Sequence, residues 1–241
     1  MRDAQQFAEI EKYGENRRYL SGYPLEEKVT PTLDLQLAVS ESDLLFVTVP
    51  SASFREMSIE LAPFVAEETY VVSGTKGVEA PSFKLMSQIL EEELPGRRIG
   101  VISGPNIAEE IAGGHFTGTV VASRDPALCQ CVQFVFASDT FRVYSSEDIF
   151  GVELGGALKN IYAIVCGMAA RLEVGQNTIA MLITRSLAEM SRFAESMGAN
   201  PYTFLGLAGV GDLMVTCTSP LSRNYQLGFR VAAGLSLHEA M

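Results

Sequence analysis

The first 145 residues alternate between short apolar runs and amphipathic stretches. The runs rich in β-branched and aromatic residues, which predict strands, are LLFVTVP (44–50), YVVSGTKG (70–77), RIGVISGPN (98–106), TVVAS (119–123) and FRVY (141–144). Apolar residues at helical spacing predict helices over residues 51–65, 82–94 and 126–138. Because strands alternate with helices, we expect a parallel sheet that is covered by helices on both faces.

The pattern changes near residue 146, after which no comparably clear strand pattern follows. Residues 147–172 are apolar almost all round, which is typical of a buried central helix. Residues 176–198 predict an amphipathic helix, with Asn177 as its N-cap and Gly198 at its C-terminal end. We therefore expect an α/β fold in two parts, an α/β domain over residues 1–145 and an all-α domain over residues 146–241.

Composition excludes several classes of function. The 241 residues carry a formal net charge of −11, which argues against a nucleic-acid-binding surface. Four cysteines and two histidines show no metal-ligand spacing, so we expect reduced thiols and no metal. No uninterrupted apolar stretch reaches the roughly 18 residues of a membrane span, and the first residues lack the apolar core of a signal peptide. A cytoplasmic protein without a membrane span is the expectation.

Glycine-rich and polar residues follow several predicted strands. Ligands of open parallel sheets bind at the carboxyl ends of the strands, and these ends here carry Pro50 and the runs SGTKG and SGPN. Lys76 and Asn106 would bring a cation and an amide to one crevice. The alternative is that these are ordinary turn residues.

Lys159 lies inside the long apolar helix, where an ammonium group is costly to bury. Gly155, Gly156 and Ala163 lie three or four residues from it, on its own face. A buried lysine has a depressed pKa, which suits proton transfer near neutral pH. The alternative is a structural lysine that pairs with Glu153 or another carboxylate.

A third candidate region is GLAGVGDLMVTCTSPLSRN, residues 206–224. Ser222, Arg223 and Asn224 precede a predicted helix, and an arginine beside the free amides of a helix start suits an anion. The alternative is an N-cap with a solvated arginine. GLAGVG follows no predicted strand, so it is a weak signal for a dinucleotide loop.

Several runs together carry a family resemblance: ENRRYLSG, DLLFVTVPS, SGTKGVE, ISGPNIAEEIA, GVELGGALKNIYAI, NTIAMLITRSLAEM and FLGLAGVGDLMVTCTSPLSRN. In the order, spacing and residue identities of these runs, the chain resembles NAD(P)-dependent glycerol-3-phosphate dehydrogenases of the bacterial type. The resemblance implies a partial Rossmann-like parallel sheet domain followed by an all-α substrate domain. It also implies reversible hydride transfer between NAD(P)H and dihydroxyacetone phosphate, giving sn-glycerol 3-phosphate for phospholipid synthesis. A homodimer is expected.

The resemblance also implies roles for individual residues. Lys159 matches the proton donor and acceptor, and Lys76 matches a second lysine near both nicotinamide and substrate. The residues that match substrate contacts are Lys76, Gly104, Asn106, Asp212, Thr216, Ser222, Arg223 and Asn224. The residues that match cofactor contacts are Arg2, Tyr19, Pro50, Lys76, Ala108 and Arg223.

The chain departs from the family pattern at both ends. The family opens with a strand, a G-x-G-x-x-G turn and a helix, which the chain lacks, and the family's last helices are also expected to be missing. The choice between NAD and NADP is left open, with Arg2 favouring a 2′-phosphate. Two alternatives remain at this point: a related dehydrogenase acting on a β-hydroxyacid or sugar acid, and a non-catalytic module that cannot hold the dinucleotide.

Overall fold

The computed structural model describes residues 3–80 and 82–241. Its centre is a five-stranded sheet in the order β1-β2-β3-β4-β5. The strands are β1 Leu44–Val47, β2 Tyr70–Ser73, β3 Arg98–Ser103, β4 Thr117–Ser123 and β5 Phe141–Ser146. All five predicted strands are therefore confirmed, within a few residues at their ends.

The sheet is mostly parallel, but β3 and β4 run antiparallel, with Val101 opposite Ala122. The predicted parallel sheet is confirmed at three of its four strand pairs and was wrong at this one. The connection between the two strands, residues 104–116, contains only the five-residue helix α5, Ala108–Ala112. Such a helix is about 8 Å long, too short to carry the chain back along β3, so β4 returns from the edge where β3 ends.

The sheet is covered on both faces, as predicted. The helices of this part are α1 Ala4–Tyr13, α2 Leu35–Val39, α3 Phe54–Leu61, α4 Met86–Glu93, α5 and α6 Pro126–Phe136. On one face, Phe54 of α3 and Leu90 of α4 pack against Val71. On the other face, Leu128 of α6 packs against Val72. Alternate residues of β2 therefore belong to two separate apolar clusters.

The helix predicted over residues 82–94 begins later, at Met86, because the preceding residues fold back on one another. Val78 and Leu85 form an antiparallel bridge. The amide of Glu79 donates to the carbonyl oxygen of Lys84 at 2.8 Å. We call residues 78–80 and 82–85 the α4 approach loop, and its first residue, Val78, follows Lys76 by two positions.

The remaining residues are helical, with α7 Ile149–Arg171 at their centre. Asp148 caps α7 by accepting from the amide of Gly151 at 2.9 Å. The other helices are α8 Gln176–Ser196, α9 Asp212–Thr218, α10 Arg223–Ala232 and α11 Leu237–Ala240. The sequence prediction of a buried central helix is confirmed, because eleven residues of α7 are buried, among them Val152 and Ala163.

For α8, the predicted N-cap was wrong and the predicted end is confirmed. The N-cap is Gly175, at φ +86°, and Asn177 lies inside the first turn, so the prediction for Asn177 was wrong. A glycine adopts that positive φ without steric cost, which moves the helix start by two residues. At the other end, Gly198 has φ +89° and ends the helix as predicted.

Among the described residues, α7 is the one helix long and apolar enough to cross a membrane, and half of its apolar stretch is buried within the protein. The core helix of a soluble protein has the same length and composition. The four cysteines, Cys129, Cys131, Cys166 and Cys217, are free thiols.

Candidate active site

A cavity of about 970 Å³ lies where the carboxyl ends of β1 and β2 face α7, α9 and α10. The predicted site residues that line it are Tyr19, Pro50, Lys76, Asn106, Ala108, Lys159, Asp212, Thr216, Ser222, Arg223 and Asn224. Gly104 contributes a carbonyl oxygen to the same region. Arg2 lies outside the described residues. The structure therefore brings together residues that are as far apart in the sequence as Tyr19 and Asn224.

Lys159 is buried, with 6% of its surface exposed, and its ammonium group faces α9. Its Nζ donates to Oδ1 of Asp212 and, at 2.6 Å, to the hydroxyl of Thr216. Asp212 and Thr216 are four residues apart on α9 and so share one helix face. The Thr216 hydroxyl donates to the carbonyl oxygen of Asp212 at 2.6 Å, which leaves its lone pairs to the lysine.

Lys76 approaches the same carboxylate from the end of β2. Its Nζ lies 2.6 Å from Oδ2 of Asp212 and donates to the carbonyl oxygen of Gly104 at 3.0 Å. Asp212 is only 1% exposed and bridges the two ammonium groups, one with each oxygen. Two positive charges and one negative charge therefore share a partly buried site.

This arrangement lowers the pKa of Lys159 to about 8. Burial is the largest cause, because it disfavours the charged ammonium, and repulsion by Lys76 acts in the same direction. The Asp212 carboxylate opposes both effects. A group with this pKa exists in both protonation states near neutral pH, which suits a proton donor and acceptor.

Glycines allow α7 to approach the sheet closely beside Lys159. A Cβ atom on Gly156 would lie 2.8 Å from Oγ of Ser103 and 3.4 Å from Cγ of Lys76. A Cβ atom on Gly155 would lie 2.7 Å from the carbonyl oxygen of Ala208. The small residues on the face of Lys159 therefore serve close packing against β3 and Lys76.

Asn106 offers an unused donor. Its Oδ1 accepts from the hydroxyl of Thr119 at 2.9 Å, while its Nδ2 is buried and has no partner among the described residues. Leaving a buried donor unpaired costs about 1–3 kcal/mol. Asn106 lines the cavity, but its Nδ2 is itself shielded, so this amide would have to turn towards the cavity to meet an oxygen atom of a bound molecule.

Residues 222–224 form the start of α10. The Ser222 hydroxyl accepts from the amide of Tyr225 at 3.3 Å as the N-cap, so the N-cap alternative is correct for this residue. Arg223 is exposed and makes no hydrogen bond or ion pair with the described residues. Asn224 donates from Nδ2 to Oδ1 of Asn160 at 2.8 Å, which ties α10 to α7. A free guanidinium beside a helix start suits an anionic group.

Two residues that shape the cavity had no role predicted from the sequence. Asn160 lines the cavity and holds Asn224, and its signal was a second polar residue beside Lys159 in an apolar helix. Thr119 holds Asn106 from β4. No signal in the sequence points to Thr119, because its position depends on the antiparallel pairing of β3 and β4.

Asp212 is the carboxylate that pairs with Lys159, out of the alternatives that were left open. Glu153, the other candidate, accepts hydrogen bonds from Ser87 instead. In line with its weak signal for a dinucleotide loop, the run GLAGVG contributes to a π-helical turn, Leu207–Gly211, that leads into α9. A Cβ atom on Gly209 would lie 2.3 Å from the backbone of Phe204, so this glycine is needed for packing. No cluster of three potential metal ligands occurs in residues 3–80 and 82–241.

A mainly parallel sheet, a helical part that follows it and a lysine-lined cavity at the carboxyl ends of the strands fit an α/β enzyme with a site between two parts of the chain. Residues 1–129 match the family model described as NAD-dependent glycerol-3-phosphate dehydrogenase N-terminus, and residues 148–241 match the corresponding C-terminus model. The chain belongs to the NAD-dependent glycerol-3-phosphate dehydrogenase family.

Individual relatives agree with the family models. The chain is 57% identical to glycerol-3-phosphate dehydrogenase (NAD(P)+) of Saccharophagus degradans over all 241 residues, which cover 67% of that protein. It is 59% identical to the enzyme of the same name from Pseudomonas syringae pv. syringae, of which it covers 70%. The crystal structure of glycerol-3-phosphate dehydrogenase from Coxiella burnetii is 35% identical, with a TM-score of 0.96 over 99% of this chain and 73% of that chain.

Proposed function

We propose that the protein interconverts dihydroxyacetone phosphate and sn-glycerol 3-phosphate by hydride transfer with NAD(P)H, in glycerophospholipid synthesis. The observation that carries this proposal is the buried Lys159 amine, held by Asp212 and Thr216 in the cavity that Lys76 and Arg223 also line. The family membership supports the substrate, since relatives at 57–59% identity are named for glycerol 3-phosphate.

Lys159 moves the proton. When bound, the nicotinamide supplies the hydride that the carbonyl carbon of the substrate accepts. Negative charge then develops on the carbonyl oxygen, and the Lys159 ammonium stabilises that charge and delivers a proton to the oxygen. In the reverse direction, neutral Lys159 accepts the hydroxyl proton as hydride leaves the carbon.

The neighbours of Lys159 orient it and tune its pKa. Asp212 and Thr216 fix the direction of the ammonium group, and Lys76 lowers the pKa of Lys159. Lys76 also polarises the carbonyl. Asn106 donates its unpaired Nδ2 to a substrate oxygen, and Gly104 holds Lys76 in place through its carbonyl oxygen.

The start of α10 holds the phosphate. Arg223 contributes a forked cation, Asn224 an amide, and the first residues of α10 contribute backbone N–H groups. Ser222 contributes mainly as the N-cap, because its hydroxyl accepts from Tyr225. Binding energy from the phosphate then aligns the distant carbonyl with Lys159.

Tyr19, Pro50, Lys76, Ala108 and Arg223 would hold the cofactor. Lys76 fits the nicotinamide side of the cofactor, since it lies beside the proton donor. Arg2 and Tyr19 remain proposed contacts on the adenosine side. We propose NAD or NADP as the cofactor, and Arg2 favours NADP.

We further propose a cytoplasmic homodimer without nucleic-acid or membrane partners. The net charge of −11 supports the absence of nucleic acid. The half-buried state of α7 supports its role as a core helix. A division into residues 1–145 and 146–241 fits the end of β5 at Ser146 and the start of α7 at Ile149.

Replacing Lys159 tests the proposed function. Lys159→Met keeps most of the side-chain volume but removes the proton, so we expect turnover to fall at least ~100-fold, within the range for general acid–base groups. Steady-state reduction of dihydroxyacetone phosphate with NADH and NADPH gives the measurement. The exposed residue Arg192 provides a control through Arg192→Ala. Near-normal turnover of Lys159→Met would refute the assignment.

A further inference from the structure

Glu153 is a buried carboxylate that the proposed reaction does not use. It lies on α7, six residues before Lys159, and only 4% of its surface is exposed. Its Oε1 accepts from the backbone amide of Ser87 at 3.0 Å, and its Oε2 accepts from the Ser87 hydroxyl at 2.5 Å. Ser87 lies in the first turn of α4. A carboxylate of the helical part therefore caps a helix of the α/β part.

This position suits a carboxylate. The first amides of a helix have no partner within it, and the helix dipole favours negative charge there. The N-cap residue of α4, Leu85, has no oxygen in its side chain to accept from these amides. Glu153 fills that role from α7, so removing it leaves donors of α4 unpaired.

The α4 start is connected to Lys76 by a short path. Leu85 pairs with Val78 in the α4 approach loop, and Val78 follows Lys76 by two residues. On the other side, α7 is a continuous helix from Glu153 to Lys159. The contact between Glu153 and Ser87 therefore joins the two segments that carry the two lysines, at a point away from the lysines themselves.

We infer that Glu153 is a positioning residue, which holds α7 against the start of α4 and thereby fixes the distance between the ammonium groups of Lys159 and Lys76. This inference rests on the proposed function, in which the two lysines act together. The contacts of the two ammonium groups with Asp212, Thr216 and the carbonyl oxygen of Gly104 act through long, flexible lysine side chains. Glu153 instead holds the backbone of α4 directly, through the amide of Ser87. A misplacement of about 1 Å in such a site can cost ~100-fold in rate.

The cost of burying Glu153 supports the inference. Burial raises the pKa of Glu153 to about 7, the hydrogen bonds from Ser87 oppose this rise, and Glu91 of α4 adds repulsion. A buried ionisable group that brings no gain would be replaced by an apolar residue at no loss of stability. A role in placing α7 explains why a carboxylate occupies this position.

The pKa of Lys159 reports its surroundings directly, so it provides the test. We would titrate 13Cε-labelled lysine by NMR in the full chain, with the Lys159 signal assigned through Lys159→Met. In Glu153→Ala, α7 is released, so burial and repulsion by Lys76 both weaken. We expect the pKa of Lys159 to rise from about 8 towards its ordinary value of 10.5 by at least ~0.5 unit. Turnover should fall at least ~10-fold while KM changes little, since α10 packs directly on α7 and keeps its place relative to Lys159.

Two further variants and a control complete the experiment. Glu153→Gln keeps an acceptor for the Ser87 amide and should restore most of the wild-type pKa and turnover. Ser87→Ala removes one donor without changing α7 and should shift both values in the same direction as Glu153→Ala. Asp148→Asn changes another carboxylate that bonds to the α7 start but contacts only helical-part residues, Gly151, Asn200 and Thr203, so the pKa of Lys159 should stay near 8.

An unchanged pKa of Lys159 in folded Glu153→Ala would overturn the inference. If Glu153→Ala does not fold, an unchanged pKa in Ser87→Ala would overturn it equally. An equal shift in Asp148→Asn would also overturn it, because the effect would then be general loosening of α7. Normal turnover in Lys159→Met would refute the proposed function instead, whatever the variants of Glu153 do.

Discussion

Asp212 organises the site at the scale of single residues. Each of its two oxygens contacts a different lysine, and its backbone carbonyl oxygen accepts from Thr216. The carboxylate limits the repulsion between the lysines enough for both to lie in one cavity. In the proposed function, the remaining positive charge would face the substrate oxygen. Burial then keeps the pKa of Lys159 near 8 despite the carboxylate.

Part of this site was predictable from single residues, because a lysine inside an apolar helix is unusual and Lys76 follows a strand at the edge of the sheet where ligands bind. The sequence could not reveal which carboxylate meets Lys159. Glu153 is nearer in the sequence, but six residues along a helix place it about 240° round the axis from Lys159. Asp212 was predicted from the family resemblance, and its contact with both lysines required the fold.

Arg223 provides a prediction at this scale. Because its guanidinium has no partner among the described residues, Arg223→Ala should leave the fold intact and remove one charge-assisted contact with phosphate. Such a contact is worth about 1.5–3 kcal/mol, so KM for dihydroxyacetone phosphate should rise ~10- to 100-fold. Steady-state kinetics with dihydroxyacetone phosphate and with unphosphorylated dihydroxyacetone would measure this.

The unphosphorylated substrate is the control for Arg223→Ala, because its KM should not change. An unchanged KM for the phosphorylated substrate would place the phosphate elsewhere in the cavity.

At the scale of elements, the crossing of α7 and α10 positions the anion-binding end of α10. A Cβ atom on Gly228 would lie 1.9 Å from the carbonyl oxygen of Ile164. A Cβ atom on Gly167 would lie 2.0 Å from the carbonyl oxygen of Tyr225. The two helices therefore touch backbone to backbone, which only glycine at these positions permits.

Gly228→Ala should consequently force α10 away from α7. Overpacking of this kind costs about 1–3 kcal/mol, and we expect the free energy of unfolding in urea to fall by that amount or more. Gly206→Ala is the matched control, because the nearest atom to its new Cβ lies 3.4 Å away. Equal stability of the two variants would show that the crossing tolerates a wider separation.

Secondary structure could be predicted where the sequence shows one clear periodicity. The prediction failed where tertiary contacts determine the direction of a strand or the start of a helix. The amphipathic and apolar patterns located α6, α7 and α8. The pattern did not reveal that β4 runs against β3, because alternation of side chains is the same in both directions. The pattern also placed the start of α4 four residues early. Leu85 falls within the predicted helix, but in the structure it forms a bridge with Val78.

At the scale of the whole molecule, the cavity depends on both parts of the chain. Lys76 comes from the sheet, Lys159 and Arg223 come from the helices, and neither part alone contains the paired lysines. The division into an α/β part and a helical part was predictable, because strand and helix patterns alternate in the sequence only up to about residue 146. The close packing of the two parts depends on glycines such as Gly156, and the sequence alone does not show which atoms pack against them.

The dependence of kcat/KM on pH, measured in both directions, tests the central claim most directly, because kcat/KM reports the pKa values of the free enzyme. Reduction of dihydroxyacetone phosphate needs protonated Lys159, so kcat/KM should fall as pH rises through about 8. Oxidation of glycerol 3-phosphate needs neutral Lys159, so kcat/KM should rise through the same pH. The residual activity of Lys159→Met should show neither of these pH dependences. The assignment of Lys159 as proton donor and acceptor would be contradicted if both directions changed with pH in the same sense, or if the pH dependences persisted in Lys159→Met.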